Sequence, residues 1–361
     1  MNQNLQQLRD AGQSIWLDNI TRGLLDSGTL ARYIDEFGLT GLTSNPTIFD
    51  EAIGGSGDYD AGIREKQDAG LDREALFIEL ALEDLRRAAD LFLPAHQASK
   101  GLDGWVSMEL SPMLARDTAG SIQAASQIHA QAARDNLFVK IPGTPEGLGA
   151  IEESTFNGIP VNVTLLFSMQ QYVASADAYM RGIERRIEAG RDPVVGSVAS
   201  LFVSRWDKAV AAKAPAQLRN RLGIAISQRA YREYRKLLAS DRWKKLADAG
   251  ALPQRLLWAS TSVKDPSAPD TLYVSALAAP DTIDTVPEKT LQAFADHGAV
   301  QGVMREDGAD FESVLAEFAK AGIDVDALAL QLQEEGAQSF VKSWEELMQR
   351  IDDKSLSLVA Q

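Results

Sequence analysis

One lysine of this chain sits where a lysine is costly. In "LFVKIPGT", residues 137–144, Lys140 follows the apolar run Leu137, Phe138 and Val139, and Ile141 continues that run before Pro142 and Gly143 end it. An ammonium pays heavily for leaving water unless it is paired or deprotonated. In a partly desolvated pocket more of a lysine stands as free amine, able to attack a ketone. The iminium so formed is an electron sink and permits cleavage of the adjacent carbon–carbon bond. Dehydrating the carbinolamine and deprotonating a substrate hydroxyl need separate groups, which two carboxylates in different surroundings can supply. Candidates are Asp18 in "WLDN" and Glu109 in "MELSP". Hydroxyl and amide groups at comparable places are Thr43, Ser44 and Asn45 in "TSNPT", Asn162 and Thr164 in "NVT", Ser200 and Ser260. Two cations, Arg205 and Lys264, would supply a phosphate site.

Each of these residues taken alone has a plainer reading. Asp18 could cap a turn, Glu109 could reach solvent at a strand end, and Asn-Pro favours turns whatever its surroundings. Arg205 and Lys264 could be solvated surface cations, and Lys140 could extend its ammonium to a rim or pair with a carboxylate. Only a fold that brings them to one place gives them a common task.

The elements that would do so are short apolar runs alternating with helix-period segments. The candidate strands are 14–19, 38–45, 104–110, 136–141, 159–167, 196–204, 255–261 and 281–287. Between them, residues 74–93 space Leu76, Phe77 and Leu80 at helical intervals, and "SIQAASQIHAQAAR" does so with Ile122, Ala125, Ile128 and Ala132. "TPEGLGAIEE" opens with Thr144 as N-cap and Pro145 in the first turn. Eight strands with helical crossovers predict a single (β/α)₈ barrel, a core over about residues 14–300 within one domain spanning 1–361. An open doubly wound sheet gives the same alternation, but no GxGxxG or GxxxxGK[ST] follows the first strand. Beyond residue 287 the pattern is helical, with a C-terminal extension over about 310–361. There Phe340, Trp344, Leu347 and Ile351 share a face expected to pack on the barrel. In a barrel, the polar residues named above all fall at the C-terminal strand ends, where the βα loops gather.

Composition narrows the chemistry. The 361 residues are 45% hydrophobic and carry a net charge of −15, which argues against general nucleic-acid binding. No cysteine is present, so thiolate metal sites and cysteine nucleophiles are excluded. His96, His129 and His297 stand far apart, which makes a multi-histidine metal site or a histidine-based triad a poor expectation. The start lacks the basic and apolar regions of a signal peptide, and no run reaches the roughly 18 apolar residues of a membrane span. The expectation is a cytoplasmic enzyme that meets neither nucleic acid nor membrane.

"GLTSNPTIF" and "LFVKIPGTPEG", with "WLDN", "SMELSP" and "NVTLLFS" in matching order, resemble the transaldolase family over about residues 1–350, particularly its longer bacterial branch. That resemblance implies a class I, Schiff-base (β/α)₈ enzyme of the pentose phosphate pathway that needs no cofactor and no metal. It would transfer a dihydroxyacetone unit from sedoheptulose 7-phosphate or fructose 6-phosphate to glyceraldehyde 3-phosphate or erythrose 4-phosphate, as a monomer or homodimer. It makes Lys140 the Schiff-base lysine on the fourth strand and Asp18 the acid/base for the C4 hydroxyl. It makes Glu109 the acid/base acting through a water that Thr164 helps to hold. Thr43, Asn45, Asn162 and Ser200 would contact the sugar, and Arg205 the phosphate. The departure is on the seventh strand: shorter transaldolases place an arginine just after their serine, whereas "ASTSVKD" offers Ser260 and then Lys264. Two rivals share these residues. One is a fructose-6-phosphate aldolase. The other is a phosphosugar isomerase or binding barrel that keeps Arg205, Ser260 and Lys264 without a nucleophilic Lys140.

Overall fold

The computed structural model describes residues 1–359. Among them, eight parallel strands form one sheet: β1 (Gln13–Asp18), β2 (Leu42–Thr43), β3 (Val106–Glu109), β4 (Leu137–Pro142), β5 (Val161–Leu166), β6 (Ser197–Phe202), β7 (Gln254–Ala259) and β8 (Thr282–Val286). Their order in the sheet is β2-β1-β8-β7-β6-β5-β4-β3. A parallel bridge between Gly41 and Trp105 joins the two ends of that order and closes it into a barrel. Gly41 is required there. A Cβ at this position would lie 2.6 Å from the Trp16 ring and 2.7 Å from the Trp105 carbonyl oxygen, closer than packed atoms approach. Helices lie between successive strands, so the barrel predicted from the alternating pattern is the fold, and the open sheet is not.

The strands are apolar on both faces because helices cover the outside and side chains fill the inside. The lower end of the interior is plugged by Trp16, Trp105 and Phe138, with the Trp105 and Phe138 rings stacked at 4.0 Å between centroids. Beside them Arg255 and Asp103 are buried together, 3.5 Å apart. Strand termini agree with the sequence reading to within a few residues except at β2, which is only two residues long although the run "GLTGLTSN" promised more. Helix Pro46–Gly55 starts directly after it, because Pro46 takes the first helical position and Asn45 caps the turn.

After β8 the chain is helical, ending in one long helix, Val325–Val359. Trp344, Leu347 and Ile351 are buried along it as the spacing predicts. Phe340 differs. It is only partly buried and faces the cavity at the upper end of the barrel, with Ser339 and Ser343 beside it. The helix is pinned across that end: Ser343 accepts a hydrogen bond from Thr47 at 3.0 Å, and Lys354 pairs with Asp60 at 2.6 Å. No helix among the described residues is long and apolar enough to cross a membrane.

Candidate active site

Parallel registry does most of the positioning. Glu109 on β3 stands opposite Lys140 on β4, and Lys140 stands opposite Asn162 on β5, so three polar side chains form one row. Asp18 on β1 stands opposite Thr43 on β2. Alternation along each strand then sends these residues inward and their neighbours Val139, Ile141, Val161 and Val163 outward into the helix layer. The apolar run around Lys140 is therefore the outer packing face of β4, with the lysine on the inner one.

Lys140 is 7% exposed and Glu109 is 9% exposed. The ammonium donates to a Glu109 carboxylate oxygen at 2.5 Å and to the Ser44 carbonyl at 2.7 Å. Burial raises the Glu109 carboxyl above its ordinary range, against the attraction of Lys140, and the negative charge of Asp18 pushes it the same way. Asp18 is also held above the ordinary aspartate range by burial, with Lys140 and the Thr43 hydroxyl acting in opposition. Thr43 donates to Asp18 at 2.8 Å. A hydroxyl has one proton to give, so its 2.7 Å contact with Thr285 must be one in which Thr285 donates. A second chain runs across the floor: Ser200 donates to Asn162 at 2.7 Å, and Asn162 donates to Ser107 at 3.2 Å. Thr164 is buried, and its hydroxyl has no hydrogen-bond partner among the described residues.

These groups open into a cavity of about 550 Å³ at the C-terminal end of the barrel, large enough for a small phosphorylated sugar. Arg205 lies on its wall in the first turn of helix Ser204–Val210, half-buried, its guanidinium 5.1 Å from the centre of the Phe202 ring. Burial pushes its affinity for its proton down, and the carboxylate that opposes this is Glu335, on the C-terminal helix. Ser260 takes a left-handed backbone conformation, φ +56°, and its hydroxyl is 3.1 Å from that of Ser204. Lys264 is exposed at the rim and donates to Ser262 at 2.5 Å. Burial of its stem, and then the charges of Lys208 and Arg205, lower its hold on its proton. A buried amine, two carboxylates with strengthened proton affinity and a guanidinium on the wall of the same cavity can perform covalent amine chemistry on a phosphorylated carbonyl compound.

A family model described as Transaldolase/Fructose-6-phosphate aldolase matches residues 15–351. The chain belongs to that family. It is 45% identical to "Transaldolase" of Arthrobacter sp. (strain FB24), with 95% of each chain covered. It is 43% identical to "Transaldolase" of Renibacterium salmoninarum over 98% of this chain and 97% of that one. It is likewise 43% identical to "Transaldolase" of Thermobifida fusca (strain YX), over 97% and 98%.

In this member of the transaldolase family the structure brings together all but one of the residues picked out in the sequence: Ser44 does not line the cavity, its hydroxyl donating to the Ser107 carbonyl at 2.8 Å and only its carbonyl meeting Lys140. Asp18, Thr43, Asn45, Lys140, Asn162, Thr164, Ser200, Arg205, Ser260 and Lys264 all line the one cavity, and Glu109 lies against it through Lys140. Asn45 has a second task, since its side-chain oxygen accepts from Ile48 N at 3.1 Å and caps the helix. Sequence reasoning missed Thr285, although a hydroxyl at the end of the eighth run, "DTIDTVP", was a fair signal by the rule applied to the other strands. It also missed Ser107, which strand alternation places two residues before Glu109, and Phe202 two residues after Ser200. Ser339 and Ser343 gave no signal, and Phe340 was read only as part of a packing face, because helical periodicity shows which face is apolar and not what lies over the barrel mouth. No group of three or more acidic or histidine side chains suited to a metal ion occurs among the described residues.

Proposed function

We propose that the chain transfers a dihydroxyacetone unit from sedoheptulose 7-phosphate or fructose 6-phosphate to glyceraldehyde 3-phosphate or erythrose 4-phosphate through a Schiff base on Lys140. One observation carries the residue assignment: the buried Lys140 ammonium is hydrogen-bonded to a carboxylate whose proton affinity is raised, inside the cavity that also holds Asp18.

The steps follow from that placement. A proton passes from the Lys140 ammonium to Glu109, and the free amine attacks C2 of the ketose, forming a C–N bond and opening the C=O bond to a carbinolamine hydroxyl. Glu109 returns a proton, through a water held by Thr164, to that hydroxyl, which leaves as water and gives the iminium. The Asp18 carboxylate, a stronger base than an ordinary aspartate, takes the C4 hydroxyl proton. The C3–C4 electron pair then moves into the iminium, and the aldose phosphate departs with a C=O bond at its former C4. The enamine left on Lys140 attacks the acceptor aldehyde, whose oxygen takes the Asp18 proton, and hydrolysis of the new iminium restores the amine. Arg205 holds the phosphate, with Ser260 and Lys264 beside it, and Asn45, Asn162 and Ser200 contact the sugar hydroxyls.

Fructose 6-phosphate supplied with and without erythrose 4-phosphate tests the reading. Turnover that requires the acceptor is the expected result, and release of free dihydroxyacetone at a comparable rate without acceptor would make the enzyme an aldolase. Borohydride trapping with fructose 6-phosphate should add mass at Lys140. An adduct that survives in Lys140→Met would sink the assignment.

A further inference from the structure

We propose that Gln333, on the C-terminal helix, is a positioning residue for the reaction, holding the backbone that carries Thr164. This rests on the reading of Thr164 as the hydroxyl that holds the water of carbinolamine dehydration.

Gln333 is only 8% exposed, and its amide nitrogen donates to two carbonyl oxygens, those of Gly143 at 3.0 Å and Leu165 at 2.9 Å. These belong to the ends of β4 and β5, three residues past Lys140 and one past Thr164. The peptides concerned are irregular. Leu165 adopts φ +57°, uncommon for a branched side chain, and the pairing of β5 with β6 shifts register between Val163 and Leu166. Such a conformation persists only where its surroundings fix it. Gly143 N donates to the Thr164 carbonyl at 2.7 Å, so the segment that ends β4 and the segment that ends β5 are tied to each other and, through one amide, to the helix. Both N–H bonds of that amide are thereby used.

The helix comes close enough to do this because residue 336 is glycine. A Cβ there would lie 2.9 Å from a Leu165 methyl and 3.3 Å from an Arg205 guanidinium nitrogen. The same turn supplies Glu335, whose charge bears on Arg205. One stretch of the C-terminal helix therefore holds the backbone beside Thr164 and packs against the arginine assigned to the phosphate. Without Gln333 the turn after Thr164 loses its donor, and the Thr164 hydroxyl is no longer held to the fraction of an ångström that water-mediated proton transfer needs.

The test is a double-mutant cycle of Gln333→Met and Thr164→Ala, read as the rate of borohydride-trappable adduct formed from fructose 6-phosphate, with kcat, KM and thermal melting alongside. Gln333→Met should slow adduct formation by about tenfold with KM nearly unchanged, and should cost little further in the Thr164→Ala background. A folded Gln333→Met that forms adduct at the parent rate overturns the proposal. So does a slowing that multiplies with that of Thr164→Ala. If Thr164→Ala alone forms adduct normally, the reading of Thr164 has failed and the proposal goes with it. A slow Thr164→Ala beside a normal Gln333→Met leaves that reading standing and removes only the role of Gln333. Should Gln333→Met not fold, Gln333→Glu decides. Its carboxyl can donate to one of the two carbonyls only when protonated, so its adduct rate relative to the parent should rise as pH falls, and a flat ratio overturns the proposal.

Discussion

The two ends of this barrel each bury a cation against a carboxylate, and they do so to opposite effect. At the lower end the Arg255 guanidinium donates to Thr282 O at 2.7 Å, Ser14 Oγ at 2.9 Å and Leu102 O at 3.1 Å, with Asp103 beside it. Asp103 in turn accepts from the Trp16 indole at 2.8 Å, from Gly104 N at 3.0 Å and from Ser14. An arginine cannot give up its charge, and here the protein supplies a partner for nearly every polar atom. At the upper end the cation is a lysine, which can deprotonate. Lys140 spends two N–H bonds on Glu109 and Ser44, Asp18 has one side-chain partner, and the Thr164 hydroxyl has none among the described residues. The lower pair is finished as structure. The upper one keeps hydrogen-bonding capacity for a substrate.

Exchanging lysine for a group that cannot attack tests that contrast most strongly. Lys140→Met should lower turnover by on the order of 10⁴-fold or more, as loss of a covalent nucleophile does elsewhere. Lys140→Arg, which keeps the charge, should be no better. The matching change below, Arg255→Met, strands a buried Asp103. It should cost about 3–5 kcal/mol of stability while the molecules that remain folded turn over at close to the parent kcat. Urea titration and active-site-normalised rates check both. A large kcat loss in folded Arg255→Met would dissolve the distinction between the two ends.

Asp18 sharpens the comparison, because its contribution to activity and its contribution to stability should have opposite signs. Asp18→Asn removes the base for carbon–carbon cleavage, and kcat should fall by about 10²–10⁴-fold while borohydride still traps the ketose on Lys140. The stability sign follows from the direction of its shift. A carboxyl whose folded pKa is raised adds stability below the ordinary aspartate range and loses it as pH rises through the raised value. At neutral pH the ionised group is therefore a cost, and Asp18→Asn should be more stable than the parent there by about 0.5–2 kcal/mol. The difference should close in acid, where the parent's carboxyl is protonated. Denaturation of both proteins at neutral pH and in acid reads it, and a parent that is the more stable at neutral pH contradicts the burial argument.

The same contrast explains what could be read in advance. The barrel was legible because β4 and β5 keep their outer faces apolar at a period of two while the segments between strands keep a helical period. Lys140 was legible because it breaks the apolar run of β4, and Asp18 and Glu109 because strand ends gather in a barrel. The lower end was not legible: Arg255 opens the run "RLLWAST" and looks like a solvated strand start, and only closure of the sheet sets it on Asp103. Gln333 and Phe340 were hidden for a related reason. Their roles depend on where a long helix crosses the mouth, and no local period encodes a crossing. The brevity of β2 was also hidden, since "GLTGLTSN" has strand composition while Gly41 spends its place on the contact with Trp16 and Trp105.

Among the phosphate candidates the effects become smaller with exposure. Arg205 is half-buried over an aromatic ring, and Arg205→Gln should raise KM for fructose 6-phosphate by about 10- to 100-fold, the loss of a charge-assisted, bidentate contact. Its kcat should change less, and its effect should persist in salt because the guanidinium is partly shielded from counterions.

Lys264, four residues past Ser260, is the second cation on the cavity wall, and its geometry argues for a weaker part. It is exposed, it is held by a hydroxyl rather than a carboxylate, and Arg205 and Lys208 repel its charge. That repulsion is relieved when a phosphate dianion arrives, so binding should be coupled to a firmer hold of Lys264 on its proton. Screening should nonetheless keep the contribution near that of an exposed ion pair, about 0.2–1 kcal/mol, or up to about fivefold in KM for Lys264→Ala. The effect should shrink as ionic strength rises from about 0.05 to about 0.5 M, whereas that of Arg205→Gln should not. Measuring KM for both variants across that range separates the two cations. A Lys264→Ala effect as large and as salt-resistant as that of Arg205→Gln would mean that the loop carrying Lys264 folds onto the phosphate and buries it.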